Sequence, residues 1–184
     1  ILERISELSI YHLILNPDVW FDRQIVQNLI AIMNRDDDLA VIAPKITFPD
    51  GNDQFSCRRY PSVFELIIRR ISPLKVIFKN IYNRGVYLDN DTTKPFNPDW
   101  VHGCFMLFRT NDFLEIKGFD ERYFMYMEDA DICKKIDLIG KKKLFYPYEQ
   151  VHHVLNKESN KNFIHFTYHI KSIFQYFYKW KFAK

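Results

Sequence analysis

Short apolar runs alternate along the chain with segments of helical period, and this alternation limits the fold more than any other feature. Residues 11–15 are an apolar run ended by Asn-Pro-Asp, and residues 39–43 are a second apolar run followed by Pro44; both are typical of buried strands, the first of them parallel to its neighbours. Between them, Asp22 is placed to cap a helix whose apolar positions keep the helical spacing: Ile25, Val26, Leu29, Ile30 and Met33. The alternation predicts a layered α/β domain with a mostly parallel sheet flanked by helices.

The second half of the chain continues this pattern. Residues 100–108 form a strand-like run interrupted by Gly103, and residues 129–139 keep a helical period that ends at Gly140. Residues 144–146 and 151–154 indicate two short strands. The end of the chain, residues 163–182, predicts an amphipathic helix rich in aromatic and basic residues.

Composition excludes several classes of protein. The 184 residues are 47% hydrophobic and 17% aromatic, which argues against disorder. A formal charge of +3 is too small to indicate binding of nucleic acid, so we expect no nucleic-acid partner. The three cysteines form no CxxC pair, which argues against a structural zinc site or a disulfide framework and favours a cytoplasmic setting.

Asp18 follows the first predicted strand directly after Pro17. Open α/β sheets bind ligands at the carboxyl ends of their strands, and a carboxylate there suits a hard cation that carries phosphates. The alternative is that Asn-Pro-Asp, residues 16–18, is only a turn with Asp18 as a helix cap.

Three acidic residues stand at the start of the helix predicted at 129–139, directly after the apolar run 124–127. A helix N-terminus favours anions by about 0.3–1 kcal/mol each, and this alone could explain them, with Asp131 interpreted as first-turn charge only. The apolar run, however, would raise the pKa of Glu128 and Asp129 while the helix N-terminus lowers it. A carboxylate tuned in this way could act as a general base.

The remaining candidates are a histidine pair and the residues around Gly103. His152 and His153 could supply a metal ligand, or they could point to opposite faces of a strand. Cys104 is expected to be a small buried apolar side chain, and Gly103 within a strand indicates the close approach of a ligand or of another backbone.

Five segments in this order resemble the family 2 glycosyltransferases, in particular their bacterial rhamnosyltransferase-like branch. The resemblance covers nearly the whole chain. The segments are Leu-Ile-Leu-Asn-Pro-Asp (13–18), Gly-Cys-Phe-Met (103–106), Gly-Phe-Asp-Glu-Arg-Tyr-Phe-Met-Tyr-Met-Glu-Asp-Ala-Asp-Ile (118–132), Val-His-His (151–153) and Tyr-Phe-Tyr-Lys-Trp (176–180).

This resemblance implies a Rossmann-like GT-A fold and an inverting transfer. The expected cofactor is Mg²⁺ or Mn²⁺, the donor a nucleotide-sugar such as dTDP-rhamnose or a UDP-sugar, and the acceptor a surface-polysaccharide or lipid-linked glycan. By the same resemblance Asp129 is the catalytic base and Glu128 shapes its charge. Asn16 and Asp18 stand at the family's Asp-x-Asp motif, with Asp18 on the metal. His153 binds the metal or the diphosphate, and Gly103 and Cys104 line the cleft.

The resemblance also implies a division of the chain. Residues 1–155 correspond to the C-terminal part of a GT-A domain, and the segments that grip the nucleotide in the family are lacking before Leu13. The first residue is Ile, so we expect a fragment or a truncated protein, with a sheet edge open to homodimer formation. Two further functions stay open: a non-catalytic module that binds a glycan or a partner protein, and a membrane-binding module.

Residues 156–184 are expected to form a basic aromatic helix. Six lysines and one glutamate fall within this range. The helix either packs on its own domain or lies at the inner face of the cytoplasmic membrane, where anionic lipids attract basic amphipathic helices.

Overall fold

The computed structural model describes residues 9–70, 72–154 and 163–182. Within these residues the chain forms seven strands and seven helices. The strands are β1 (Tyr11–Leu15), β2 (Val19–Trp20), β3 (Leu39–Thr47), β4 (Cys57–Arg58), β5 (Trp100–Val101), β6 (Phe105–Arg109) and β7 (Lys142–His153). The helices are α1 (Arg23–Met33), α2 (Val63–Arg70), α3 (Ser72–Ile77), α4 (Lys79–Gly85), α5 (Thr110–Glu115), α6 (Glu128–Leu138) and α7 (Phe163–Phe182).

The central sheet is mixed, with strand order β1-β6-β3-β7-β2, and β4 pairs with β5 in a small separate sheet. Only β3 and β7 pair in parallel among the described strands of the central sheet; β1 with β6, β6 with β3, and β7 with β2 are antiparallel. The expected α/β architecture is confirmed, but the expectations of a mostly parallel sheet and of a parallel first strand are wrong. An apolar run indicates burial and carries no information on the direction of the neighbouring strand.

Alternating side chains of β6 fill two separate cores. Phe105 and Leu107 pack with Leu29 and Met33 of α1 on one face of the sheet, whereas Met106 and Phe108 pack on the other face with α6 and α7. Each fully buried side chain of this size stabilises the fold by about 1.5–3 kcal/mol. The sheet is therefore held between α1 on one side and the later helices on the other.

The predicted helices are confirmed closely. Asp22 caps α1, since its side chain accepts a hydrogen bond from the Gln24 amide at 2.8 Å. The two short strands expected near the end are instead one strand, β7, with an irregularity in its pairing. Pro44 of β3 faces Tyr146 and the next residue, Lys45, faces Gln150, so the Pro147 region leaves the ladder. Proline cannot donate to a ladder, which explains why the sequence pattern breaks there.

Asp131 ties α7 to the rest of the domain. Its carboxylate is fully buried and accepts hydrogen bonds from Lys179 Nζ and Trp180 Nε1, each at 2.8 Å, and from the Tyr123 hydroxyl at 3.1 Å. The interpretation of Asp131 as first-turn charge is therefore incomplete, because no local pattern reveals partners that lie in a distant helix.

Contacts of α7 with the domain leave one side of the helix open. Ser172 and Tyr176 are buried, whereas Ile164, Phe174 and Tyr178 are exposed. The division expected between residues 155 and 156 lies outside the described residues. None of the described helices combines the length and the apolar character that a bilayer crossing needs.

Candidate active site

The start of β6 is the point at which four distant segments meet. The Asn16 amide, just past β1, donates a hydrogen bond to the Cys104 carbonyl at 3.0 Å. The Gly103 amide donates to Asp129 Oδ2 at 3.2 Å. The β2–β7 pair, which places Val19 opposite His153, starts directly after Asp18. The fold therefore gathers the segments that carry the predicted site residues around Gly103 and Cys104.

Asp129 is held by two backbone amides. Gly103 donates to Oδ2, and the Ala130 amide donates to Oδ1 at 2.9 Å. Burial raises the pKa of Asp129, while these two hydrogen bonds and the positive charge of Arg58 oppose the rise. The carboxylate is thus fixed in orientation and is a stronger base than an exposed aspartate.

Glu128 lies beside Asp129 in a poorly solvated place. Its Oε2 atom is buried and makes no hydrogen bond among the described residues. Burial, with the neighbouring charge of Asp129 as the second cause, raises the pKa of Glu128 to about 7. Two neighbouring carboxylates that are shielded from water do not both ionise easily. Because Asp129 accepts two amide hydrogen bonds and Glu128 Oε2 accepts none, a neutral Glu128 beside an ionised Asp129 is the favoured arrangement.

The backbone before α6 is strained. Tyr126 and Met127 both have φ of +70°, in the left-handed region that side chains with a Cβ rarely adopt. The Met127 carbonyl accepts a hydrogen bond from the Asp131 amide at 2.9 Å, so the tight turn closes directly onto α6. This turn lets α6 begin at Glu128 and brings Asp129 against Gly103. A Cβ added at Gly103 would lie 3.4 Å from Asp129 Cβ, in van der Waals contact, so the backbone of Gly103 lies directly against Asp129.

Asp18 and His153 form the second polar pair of the site. His153 Nε2 lies 3.2 Å from Asp18 Oδ1, and His153 Nδ1 lies 3.0 Å from Gln54 Oε1. The Gln54 amide group donates to the carbonyls of Thr47 and His153, which directs Oε1 at the ring. Nδ1 therefore carries the proton that Gln54 accepts, and in the neutral ring Nε2 presents a lone pair to the Asp18 carboxylate.

This pair fits a divalent cation. The lone pair of Nε2 and the carboxylate oxygen repel each other, and a proton or a metal ion between them removes this repulsion. A histidine that binds a metal is usually oriented by a hydrogen bond at its other nitrogen. In the described part of the chain, however, no three His, Cys, Asp or Glu side chains are arranged so that they could hold a metal ion together. Asp18 and His153 would thus supply two ligands, and Mg²⁺ or Mn²⁺ takes its remaining oxygen ligands from water and phosphate.

Both carboxylates affect the pKa of the Cys104 thiol. Burial raises the pKa of its thiol to about 12, and the charges of Asp129 and Asp18 add to the rise. The same thiol therefore lies within electrostatic range of both. The raised pKa keeps Cys104 a neutral, unreactive thiol, in agreement with the expectation of a small buried apolar side chain.

Sequence reasoning missed two residues of the site, Gln54 and Arg58. Gln54 is buried and orients His153, while Arg58 donates to His102 Nε2 at 2.9 Å and opposes the rise in the pKa of Asp129. Both come from the segment between β3 and α2, which shows no regular period. No sequence signal marks either residue.

A separate hollow of about 310 Å³ lies between the start of α2, α6 and α7. Lys134 lines the hollow, and its Nζ atom lies 4.9 Å from the centroid of the Trp180 ring and 5.3 Å from that of the Tyr60 ring. Cation–π contacts of this kind hold a lysine in place. None of the predicted site residues lines this hollow.

Comparison with known proteins gives both sequence relatives and a structural neighbour, although no protein-family model matches the chain. The chain is 32% identical over 128 residues to the rhamnosyltransferase WbbL of Escherichia coli K12, which covers 66% of the chain and 44% of that protein. It is 26% identical over 168 residues to the N-acetylglucosaminyl-diphospho-decaprenol L-rhamnosyltransferase of Mycobacterium tuberculosis, with 88% and 53% covered. The chain thus spans about half the length of these curated relatives.

The structural neighbour is GalNAc-T7, in a crystal structure with UDP, GalNAc and Mn²⁺. The TM-score is 0.56 at 17% sequence identity, and the match covers 85% of this chain and 29% of that one. At this identity the likeness establishes the fold. The chain therefore has the fold of a GT-A glycosyltransferase, and its sequence resembles those of bacterial rhamnosyltransferases.

Proposed function

We propose that the chain carries the catalytic part of an inverting glycosyltransferase, which moves a sugar from a nucleotide-sugar donor to a glycan acceptor. The observation that supports the proposal is the junction at Gly103 and Cys104: Asp129 accepts a hydrogen bond from the Gly103 amide, and the charges of both Asp129 and Asp18 raise the pKa of the Cys104 thiol. A base and a diphosphate-binding pair on one edge of a sheet are the two groups that such a transfer needs.

Asp129 acts as the general base in this proposal. It accepts the proton of an acceptor hydroxyl, whose oxygen forms the new bond to the anomeric carbon while the bond from that carbon to the diphosphate breaks on the opposite side. The Gly103 and Ala130 amides keep the carboxylate in one orientation. Glu128, when protonated, adds no second negative charge, so the incoming acceptor meets one anion only.

Asp18 and His153 would hold the donor end of the site. A bound Mg²⁺ or Mn²⁺ would neutralise the negative charge that develops on the departing nucleoside diphosphate. Gln54 keeps the His153 ring turned toward Asp18. Asn16 directly follows β1 at the same place, and its exposed side chain would contact the donor together with the Gly103–Cys104 segment.

The proposed substrates follow from the names of the relatives. Both are rhamnosyltransferases, and one acts on an N-acetylglucosaminyl-diphospho-decaprenol. We therefore expect dTDP-rhamnose as the donor, with a UDP-sugar as the alternative. The expected acceptor is a sugar linked through diphosphate to a lipid, in the biosynthesis of a surface polysaccharide on the cytoplasmic face of the membrane.

A non-catalytic module that binds a glycan or a partner protein is the second candidate. Under this candidate, the chain binds glycan in the absence of metal and nucleotide.

The test is sugar transfer from dTDP-rhamnose to an N-acetylglucosaminyl-diphospho-lipid, measured with the chain and with any sequence that precedes it in the gene product. Asp129→Asn removes the base and keeps only one of the two amide contacts, because the new NH2 group cannot accept a hydrogen bond, so a loss of about 10²–10⁴-fold in kcat is expected. Glu115→Gln on α5 is the matched control, because Glu115 is exposed and lies outside the site. Wild-type rates in Asp129→Asn would rule out the proposed base, and metal-independent glycan binding without transfer would favour the second candidate.

A further inference from the structure

Helices α2, α3 and α4 expose an apolar face that the proposed chemistry does not use. We call it the α2–α4 face, and its members are the exposed side chains of Val63, Phe64, Ile67, Val76, Ile77 and Ile81. Val76 and Ile77 are the most open, at 79% and 69% exposed. Single exposed apolar residues are ordinary, but several on adjoining helices mark a surface that is covered by something else.

These helices turn their apolar side outward. In α2 the buried positions are Glu65 and Ile68, while Phe64 and Ile67 face solvent. Phe64 packs edge-on against Phe78 at 5.3 Å between ring centroids, which joins α2 to the junction of α3 and α4. The face is therefore a continuous feature of the fold and not an isolated side chain.

The charge on this segment is one-sided. Residues 63–84 contain five basic residues and one acidic residue, which gives a net charge of +4. The acidic residue, Glu65, is buried, whereas Lys79 and Arg84 are exposed. The C-terminal end of α7 adjoins the same region, since Val63, Phe177 and the exposed Lys181 line one hollow.

We propose that the α2–α4 face docks on an anionic lipid surface. Exposed apolar side chains with basic neighbours are the composition of helices that lie in a membrane interface. Anionic lipids attract each nearby lysine or arginine, and the apolar side chains enter the boundary of the bilayer.

Charge argues against a second copy of the chain as the occupant. In a symmetric dimer the same patch meets itself, so the exposed Lys79 and Arg84 of both copies would be opposed. Such an arrangement places like charges together at the interface, which is unfavourable. A lipid surface of opposite charge meets no such penalty.

The inference is independent of the proposed catalysis, because lipid binding can be measured without sugar transfer. The experiment is flotation of the chain with vesicles of phosphatidylcholine that contain phosphatidylglycerol, and with vesicles of phosphatidylcholine alone. We expect binding to the anionic vesicles only, and its loss at high salt. Equal binding to both kinds of vesicle, or binding to neither, would overturn the proposal.

Paired substitutions on the α2–α4 face test whether this face makes the contact with the vesicles. Val76→Ser with Ile77→Ser removes the two most exposed apolar side chains, and Lys79→Gln with Arg84→Gln removes two exposed charges; each pair should weaken binding about tenfold or more. The matched control is Leu138→Ser with Tyr148→Ser, two exposed side chains on α6 and β7 that should leave binding within about twofold.

A third variant separates this face from the exposed side of α7. Phe174→Ser with Tyr178→Ser alters that side only. If this change abolishes vesicle binding while the Val76 and Ile77 change does not, the proposal fails. It also fails if the Val76 and Ile77 change converts a dimer into a monomer in sedimentation without any vesicle binding. Circular dichroism confirms that each variant is folded.

Discussion

His153 Nε2 faces Asp18 Oδ1 across 3.2 Å, although one residue precedes the first helix and the other ends the last strand of the described sheet. The antiparallel pairing of β2 with β7 creates this contact, since Val19 lies opposite His153. Gln54 then fixes the histidine ring through Nδ1. The geometry makes the pair a candidate for a metal ion that is shared with a diphosphate.

Replacement of His153 should weaken metal binding while replacement of its neighbour should not. His152 points to the other face of β7, where it stacks on Trp20 and contacts Thr47 Oγ1 at 3.0 Å. We expect His153→Ala to lower the affinity for Mn²⁺ in the presence of UDP or dTDP by about 10–100-fold, and His152→Ala to leave it nearly unchanged. Electron paramagnetic resonance of free Mn²⁺ measures both. Equal effects of the two changes would contradict the assigned pair.

Glu128 should make stability depend on pH. Its pKa is about 7 in the folded chain against an ordinary value of 4.5, so folding favours its protonated form. The stability that this group contributes is complete below pH 4.5 and is lost as the pH rises through 7. Glu128→Gln removes the ionisation, so the variant should gain about 1–3 kcal/mol relative to wild type between pH 5 and pH 8.

Thermal unfolding of the two proteins across this pH range provides the measurement. A difference in stability that stays constant with pH, or that shrinks as the pH rises, would show that Glu128 is well solvated in the folded chain.

Asp131 should matter for stability more than for chemistry. Asp131→Asn removes the charge that faces Lys179 and Trp180 of α7, but Lys179 keeps its contact with Asp120, so the expected loss is about 1.5–3 kcal/mol. We expect lower stability, a change in Trp180 fluorescence and faster hydrogen exchange in α7. Glu121→Gln, an exposed change in the same region, is the control. Full stability in Asp131→Asn would mean that α7 docks through other contacts.

Local patterns in the sequence predict the helices well. Asp22 and the apolar spacing after it identify α1, and residues 129–139 identify α6 within one residue at each end. These features depend on side chains that are close in sequence, such as caps and apolar faces. Strand direction depends on partners that are far apart, and the antiparallel pairing of β1 with β6 was therefore not predictable from an apolar run.

The candidate site was predictable in part for the same reason. Asp18, Asp129 and His153 were predicted as site residues because they stand in motifs of recognisable order. Gln54 and Arg58 act on these residues from a segment without period or motif, and only the folded chain reveals them. Arg58 moreover affects Asp129 through its charge, which no spacing along the chain encodes.

The central claim is that Asp18 and Asp129 serve one shared site around Gly103 and Cys104. Paramagnetic broadening of backbone amide signals by Mn²⁺, with UDP or dTDP present, tests it most directly because it needs no turnover. The account predicts that the amide signals of Asp18, Gly103, Cys104 and Asp129 weaken first and together as Mn²⁺ is added. Broadening that begins instead at the exposed acidic turn of residues 36–38, with the Asp129 signal unaffected, would contradict it.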